Sequence, residues 1–197
     1  MPKRLASRTE LAEWLQPLEG VRAILALGAA GSTTGETGTS ADVSDEDDRA
    51  LLLTARSLAA VALTGGATAR AEQYKPSERI AIAIFTRDPA SVADVPAVAK
   101  PGSLGTFVIA TDAAVTPEVG ILEAIGGLTA SGKTRVLFEG GPNLLRIAVA
   151  AQVVDEIVIS ATGGIGQYDL VADLFEQGWH LGDTANFGRR WIYKLAK

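Results

Sequence analysis

The chain contains no cysteine. Disulfides, thiolate nucleophiles and thiolate metal sites are therefore excluded, and the composition is compatible with a reducing compartment. Histidine occurs once, as His180 near the end of the chain. A lone imidazole there reads as structural or exposed rather than as a general acid. No apolar run approaches the roughly 18 residues that a membrane-spanning helix needs. The start, MPKRLASRTELAEWLQPLEG, carries charges where a secretory signal would have an uninterrupted apolar core. Basic charge is scarce too, with 18 Lys and Arg against 23 Asp and Glu, a net charge of −5. Nucleic-acid binding would need a basic face, so only a local basic pocket for a small anion stays open. The expectation is a soluble, cytoplasmic protein with no nucleic-acid or membrane partner.

What is present is apolar content, 47 % of 197 residues, enough for one domain with a substantial core. The stretch GLTASGKT, residues 127–134, fits the phosphate-loop pattern G-x-x-x-x-G-K-[ST] at every fixed position. That loop must leave a buried strand and open a helix, so that the helix N-terminus points at the anion. Here the order is reversed. Val119, Leu122, Ile125 and Leu128 recur at helical spacing before it, and RVLF follows as a short strand. Gly132 then reads as the residue just past a helix C-terminus, with Ser131 and Lys133 in an αβ turn.

The remaining pattern alternates. Ser7 and Glu10 resemble a capping box opening a helix over 10–18. Strands are expected over 21–27, 61–64, 79–85, 106–111, 135–138 and 156–160, with helices from 44 to about 59, over 117–130, from about 143 to 151, and near 170–175. Ser44 reads as the cap of the second helix. The acidic residues 45–48 suit that helix's first turn and are not read as a metal site. Two closing strands, around 179–183 and 191–196, read as an antiparallel pair at the sheet edge. The expected class is α/β, a three-layer domain with a mostly parallel sheet and a C-terminal antiparallel hairpin. Residues 1–197 read as one domain, 1–20 being a helical appendage.

In parallel α/β sheets, ligands lie outside the carboxyl ends of the strands. Three loops stand there: 28–44, rich in Gly, Ser and Thr, then 65–78, and 139–143, Glu-Gly-Gly-Pro-Asn. In the last, Gly140 and Gly141 permit close backbone approach, Pro142 suits the first helical turn and Asn143 a cap. Composition alone leaves an ordinary βα turn open as well.

FEGGPNLLRIAVAAQVVDEIVIS resembles the signature of the C-terminal reductase domain of bifunctional riboflavin-biosynthesis deaminase/reductases, a family with the dihydrofolate reductase-like fold. Arg56-SLAAVALTGGATARAE-Gln73 is similar to the same family, as is Ser40 in GTS. The resemblance runs over about 21–166 and implies an NADPH-dependent pyrimidine reductase. Such an enzyme reduces the ribosylamino group of 5-amino-6-(5-phosphoribosylamino)uracil to the ribitylamino form. By resemblance Ser40, Arg79 and Glu139 face the phosphorylated pyrimidine, with Glu139 in the catalytic role and Arg79 meeting the phosphate. Ala29, Thr68, Glu72, Thr86, Arg87, Gly140, Gly141, Pro142, Asn143 and Leu144 face the cofactor, and Arg70 or Arg87 meets its 2′-phosphate. Arg56 reads as structural. A homodimer is implied as well.

The chain departs from the family at Ala29-Ala30-Gly31-Ser32, which carries no carboxylate, and at Ala60, where many members have Asp. Those departures keep two alternatives open, a same-fold reductase of another small substrate such as a pterin and a non-catalytic NADPH-binding homologue.

Overall fold

The computed structural model describes residues 2–35 and 39–197. Residues 36–38 of the expected 28–44 loop lie outside the described residues. In chain order the elements are β1 (Lys3–Leu5), α1 (Arg8–Leu15), β2 (Gly20–Leu27), α2 (Glu46–Ser57), β3 (Val61–Gly65), α3 (Gly66–Ala71), β4 (Ala81–Thr86), α4 (Pro96–Ala99), β5 (Thr106–Ala110), α5 (Pro117–Ala130), β6 (Arg135–Phe138), α6 (Pro142–Ala150), β7 (Glu156–Ala161), α7 (Asp169–Glu176), β8 (His180–Phe187) and β9 (Arg190–Ala196). The class is the expected mixed α/β one, mostly parallel with an antiparallel C-terminal pair. The described residues form two compact units, one from within 1–16, 22–55 and 155–197, the other from 17–21 and 56–154.

In the first unit the strand order is β1-β8-β9-β7-β2. β1 runs parallel to β8, and β2 to β7, while β9 lies antiparallel to both β7 and β8. The closing hairpin is therefore not at the edge, as the sequence reading had it, because Lys3–Leu5 pairs outside β8. A three-residue strand with one buried side chain, Leu5, is too short to show a period. α1 opens on the expected box: Ser7 Oγ accepts from the Glu10 N–H, and Glu10 reaches back to the Ala6 N–H. It ends at Leu15 rather than 18, since Pro17 supplies no N–H and disfavours helix before it. Buried Arg22 then donates to the Leu15 and Gln16 carbonyls at 2.7 and 2.9 Å and pairs with Glu156. α2 is capped by Asp45, whose carboxylate accepts from the Asp48 N–H at 3.0 Å. Ser44, the expected cap, lies one residue too early and instead meets the Asp48 side chain.

In the second unit the order is β6-β3-β4-β5, parallel throughout. VALTG of β3 and AIAIFT of β4 are buried almost end to end, the mark of parallel strands covered on both faces. Phe138, Leu63, Ile84 and Ile121 are fully buried there and anchor the core. The segment 65–78 is not a continuous loop, because Gly66 begins α3 directly after β3. α5 spans the expected 117–130, capped by Thr116, with Pro117 in its first turn. Its end is a left-handed Gly132, φ +83°, with the Lys133 N–H on the Leu128 carbonyl and the Gly132 N–H on Thr129. That is the Schellman pattern, so GLTASGKT closes a helix instead of opening one.

Candidate functional site

Three adjacent strands of the second unit, β6, β3 and β4, end side by side in register, with Leu63 opposite Phe138 and Gly65 opposite Phe85. Their carboxyl ends feed three turns: Glu139-Gly140-Gly141, Gly65-Gly66, and Thr86-Arg87-Asp88. A parallel α/β sheet places ligands at that edge.

Glu139 anchors the first turn and is 8 % exposed. Its N–H donates to the Leu63 carbonyl at 2.8 Å, and its own carbonyl accepts from Thr64 Oγ1 at 3.3 Å. The carboxylate accepts from Arg56 Nε at 2.7 Å and from Nη2 at 2.6 Å, a two-pronged pair. The Tyr74 hydroxyl donates to the same oxygen as Nη2. Burial works against the Arg56 charge, but hydrogen bonding to Glu139 and its negative charge outweigh it and hold the guanidinium above its ordinary pKa. Burial, reinforced by the charge on Glu139, pushes the Tyr74 hydroxyl well above the usual tyrosine value, so it stays a donor.

The chain beyond Glu139 is a bare backbone cradle. Gly141 is the N-cap of α6, and no side chain caps the helix. Pro142 occupies the first turn as expected, but Asn143 is inside the helix and exposed, so it is not the cap. A Cβ on Gly140 would come 2.6 Å from the Phe138 ring. A Cβ on Gly141 would come 3.4 Å from Thr68 Oγ1, and one on Gly65 would come 3.0 Å from Leu144 Cδ2. Thr68 and Leu144 thus face across from one turn to the other. Thr86 closes the third turn, its hydroxyl donating to the Asp88 carbonyl and accepting from the Asp88 N–H, both at 3.2 Å. Free N–H groups at a helix start, with side chains absent, suit an anion.

The other expected site residues make no contact with the Glu139 cluster, some standing near the same edge and some away from it. Arg79 is exposed and precedes the amino end of β4. It is separated from Thr86 by roughly 20 Å of extended chain. Arg87 is exposed after β4, and exposed Arg70 donates to Ser91 Oγ at 2.8 Å. Glu72 is the C-cap residue of α3. Ala29 and Ser40 belong to the other unit, where the Ala29 carbonyl accepts from the Tyr168 hydroxyl at 3.2 Å and Ser40 opens a 3₁₀ turn. His180 begins β8 and is exposed.

Arg56, read as structural, is the direct partner of Glu139. Tyr74, the third member of the cluster, carries no motif of its own in the sequence. The partners of Glu139 lie 83 and 65 positions away, and no local period links them. The available signal was the placement of Arg56 at the end of α2, immediately before β3. Among the described residues no cluster of three or more His, Asp or Glu could hold a metal, and no helix is long and apolar enough to cross a membrane.

The RibD C-terminal domain profile matches residues 25–165. The chain belongs to that family. RibD C-terminal domains are the reductase portions of riboflavin-pathway proteins, so the coarse assignment is to that reductase family. No curated protein matches the sequence. Among solved structures, a pyrimidine reductase-like protein from Corynebacterium diphtheriae is similar at 18 % identity and TM-score 0.70, covering 96 % of this chain and 98 % of its own. A diaminohydroxyphosphoribosylaminopyrimidine deaminase/5-amino-6-(5-phosphoribosylamino)uracil reductase from Thermotoga maritima is similar at 14 % identity and TM-score 0.67. That match covers 93 % of this chain but 57 % of the Thermotoga protein. The dihydrofolate reductase of Enterococcus faecalis, solved with NADP(H), is similar at 11 % identity and TM-score 0.53, covering 91 % and 97 %. At these identities the likenesses establish the dihydrofolate reductase-like fold.

Proposed function

We propose that this RibD C-terminal domain protein is an NADPH-dependent reductase. Its substrate is 5-amino-6-(5-phosphoribosylamino)uracil, whose ribosylamino group it converts to the ribitylamino form. The observation that carries the reading is the uncapped α6 N-terminus behind Gly140-Gly141, facing Thr68 at the ends of adjacent parallel strands. It fits the diphosphate of a dinucleotide: backbone N–H donors, a hydroxyl, and space that no Cβ occupies. The cofactor supplies the hydride when bound. The chain's own work is binding and orientation. Gly140, Gly141, Pro142, Asn143 and Leu144 wrap the cofactor, with Thr68, Glu72 and Thr86 beside them and Ala29 near the nicotinamide. Arg87 or Arg70, both exposed near this edge, meets the 2′-phosphate.

Ser40 faces the pyrimidine. Glu139, oriented by Arg56, has acceptor capacity left on Oε1 and orients a donor group of the substrate. The substrate phosphate then needs a cation other than Arg79. The chain acts as a single domain, 1–197, with residues 1–20 as an extension. It forms a homodimer and works in the cytoplasm.

Ala29-Ala30-Gly31-Ser32, which offers no carboxylate, favours a second reading in which the substrate is another small heterocycle such as a pterin, or turnover is lost. Anaerobic mixing of protein, NADPH and freshly generated substrate decides between them. Loss of the reduced-nicotinamide absorbance coupled to ribitylamino product is the expected result. Tight NADPH binding without oxidation would move the assignment to the second reading.

A further inference from the structure

We infer that Arg56 and Tyr74 are positioning residues that hold and neutralise the Glu139 carboxylate, so that the turn over 139–144 presents its backbone N–H groups to a diphosphate. The inference rests on reading that turn as the cofactor's diphosphate site, and it adds what makes the turn competent.

Two consecutive glycines give this turn more backbone freedom than any other residue pair would, and no side chain caps the helix that follows. Its orientation must come from the residue ahead of it. Glu139 is tied at every polar group: the N–H to Leu63, the carbonyl to Thr64, and the carboxylate to Arg56 and Tyr74. The side chain of Glu139 is 5 % exposed and that of Arg56 27 %, so water screens the pair little.

Charge adds a second requirement. A bare carboxylate two residues ahead of the α6 N-cap would repel an anion arriving there. The two-pronged guanidinium cancels that charge, and the Tyr74 hydroxyl adds a donor without adding charge. Tyr74 also joins the two turns. Its N–H donates to the Ala69 carbonyl of α3 at 3.0 Å, and its carbonyl accepts from the Ala97 N–H at 2.8 Å. One side chain from the α3 segment thereby fixes the turn that precedes α6. Arg56 lies 5.8 Å from the Tyr74 ring centroid, which keeps the two donors in contact.

The test uses full-length protein and four forms: wild type, Tyr74→Phe, Arg56→Gln, and Arg56→Gln with Glu139→Gln. Amide hydrogen exchange is read without ligand, NADPH affinity by fluorescence titration, and melting temperature alongside. Tyr74→Phe, which removes one oxygen, is expected to speed exchange over 139–147 about tenfold relative to α5 and to weaken NADPH about tenfold. Arg56→Gln should weaken NADPH more, because it leaves the buried Glu139 charge unpaired. The double variant should recover most of that affinity, because the stranded charge is gone. A support role confined to folding would lower the melting temperature while leaving relative exchange at the turn and NADPH affinity unchanged, and that outcome overturns the inference. Failure of the double variant to recover affinity beyond Arg56→Gln overturns its electrostatic half. Wild-type protein that binds no NADPH would refute the functional reading instead, and the exchange data alone would then decide whether the clamp positions the turn.

Discussion

Arg190, buried on β9, donates through Nε to the Asp45 carboxylate at 3.0 Å and through Nη2 to the Val43 carbonyl at 2.6 Å, tying the closing hairpin to the start of α2. Its side chain is 4 % exposed, so truncation strands the Val43 and Leu27 carbonyls, while Asp45, 24 % exposed, keeps partial access to water. Arg190→Ala is expected to cost about 2–3 kcal/mol, chiefly from the unsatisfied carbonyls. The check is the midpoint shift in urea at unchanged slope, and a loss below about 1 kcal/mol would show that the pair is dispensable.

The same carboxylate sets an acid limb. Burial disfavours ionised Asp45, but the Asp48 N–H and Arg190 outweigh it and hold its pKa below the ordinary 3.8. A folded-state pKa lowered in this way adds stability that is fully present above the unfolded value and fades as pH falls through the folded one. Asp45→Asn should therefore be less stable than wild type at neutral pH, with the gap closing below about pH 4. Tyr74 works at the other extreme. Raised in the folded state, it contributes fully below about pH 10, and that contribution is lost as the pH climbs toward the folded value. Tyr74→Phe should flatten the alkaline decline in a denaturation series.

Gly140 faces Phe138 so closely that an added methyl would sit 2.6 and 2.7 Å from two ring atoms and 3.2 Å from Leu144. Phe138 is fully buried and has no room to turn aside. Gly140→Ala should destabilise by about 1–3 kcal/mol and shift the turn. NADPH affinity should fall more than thermal stability alone accounts for. Calorimetric titration of the folded variant measures this, and wild-type affinity would remove Gly140 from the cradle.

Lys133 lies at the C-terminal end of α5, with its ammonium 4.7 Å from the Phe107 ring centroid. Carbonyls, not N–H groups, point toward that end of a helix, so an incoming phosphate is repelled there. Lys133→Ala should leave NADPH binding unchanged, and the wild-type protein should show no ATP hydrolysis. Measurable ATP turnover lost in Lys133→Ala would restore the phosphate-loop reading of GLTASGKT.

Much of this molecule was legible because periodicity survives folding. α5 and β6 match their expected bounds, 117–130 and 135–138, and Ser7 caps α1 through the Glu10 N–H while Glu10 reaches back to the Ala6 N–H. The errors have local causes. β1 is three residues long, and α3 hides in a glycine-rich stretch that composition reads as loop. Pro17 and the competing caps Ser44 and Asp45 shift helix ends by a few residues. The EGGPN turn was visible through its glycines, whereas its clamp was not. Tyr74 and Arg56 reach Glu139 only because β3 and β6 are neighbours in the sheet, a relation between distant segments that one sequence does not encode locally.

β1 has a consequence for handling the protein. Without it, β8 would offer a long row of open amide and carbonyl groups, the kind of border onto which other chains polymerise. Lys3 and Arg4 are exposed on this three-residue strand, which covers residues 185–187 of β8 and gives that stretch a short, positively charged border. Trimming the first seven residues should therefore lengthen the open edge and promote association, read as light scattering that grows with protein concentration.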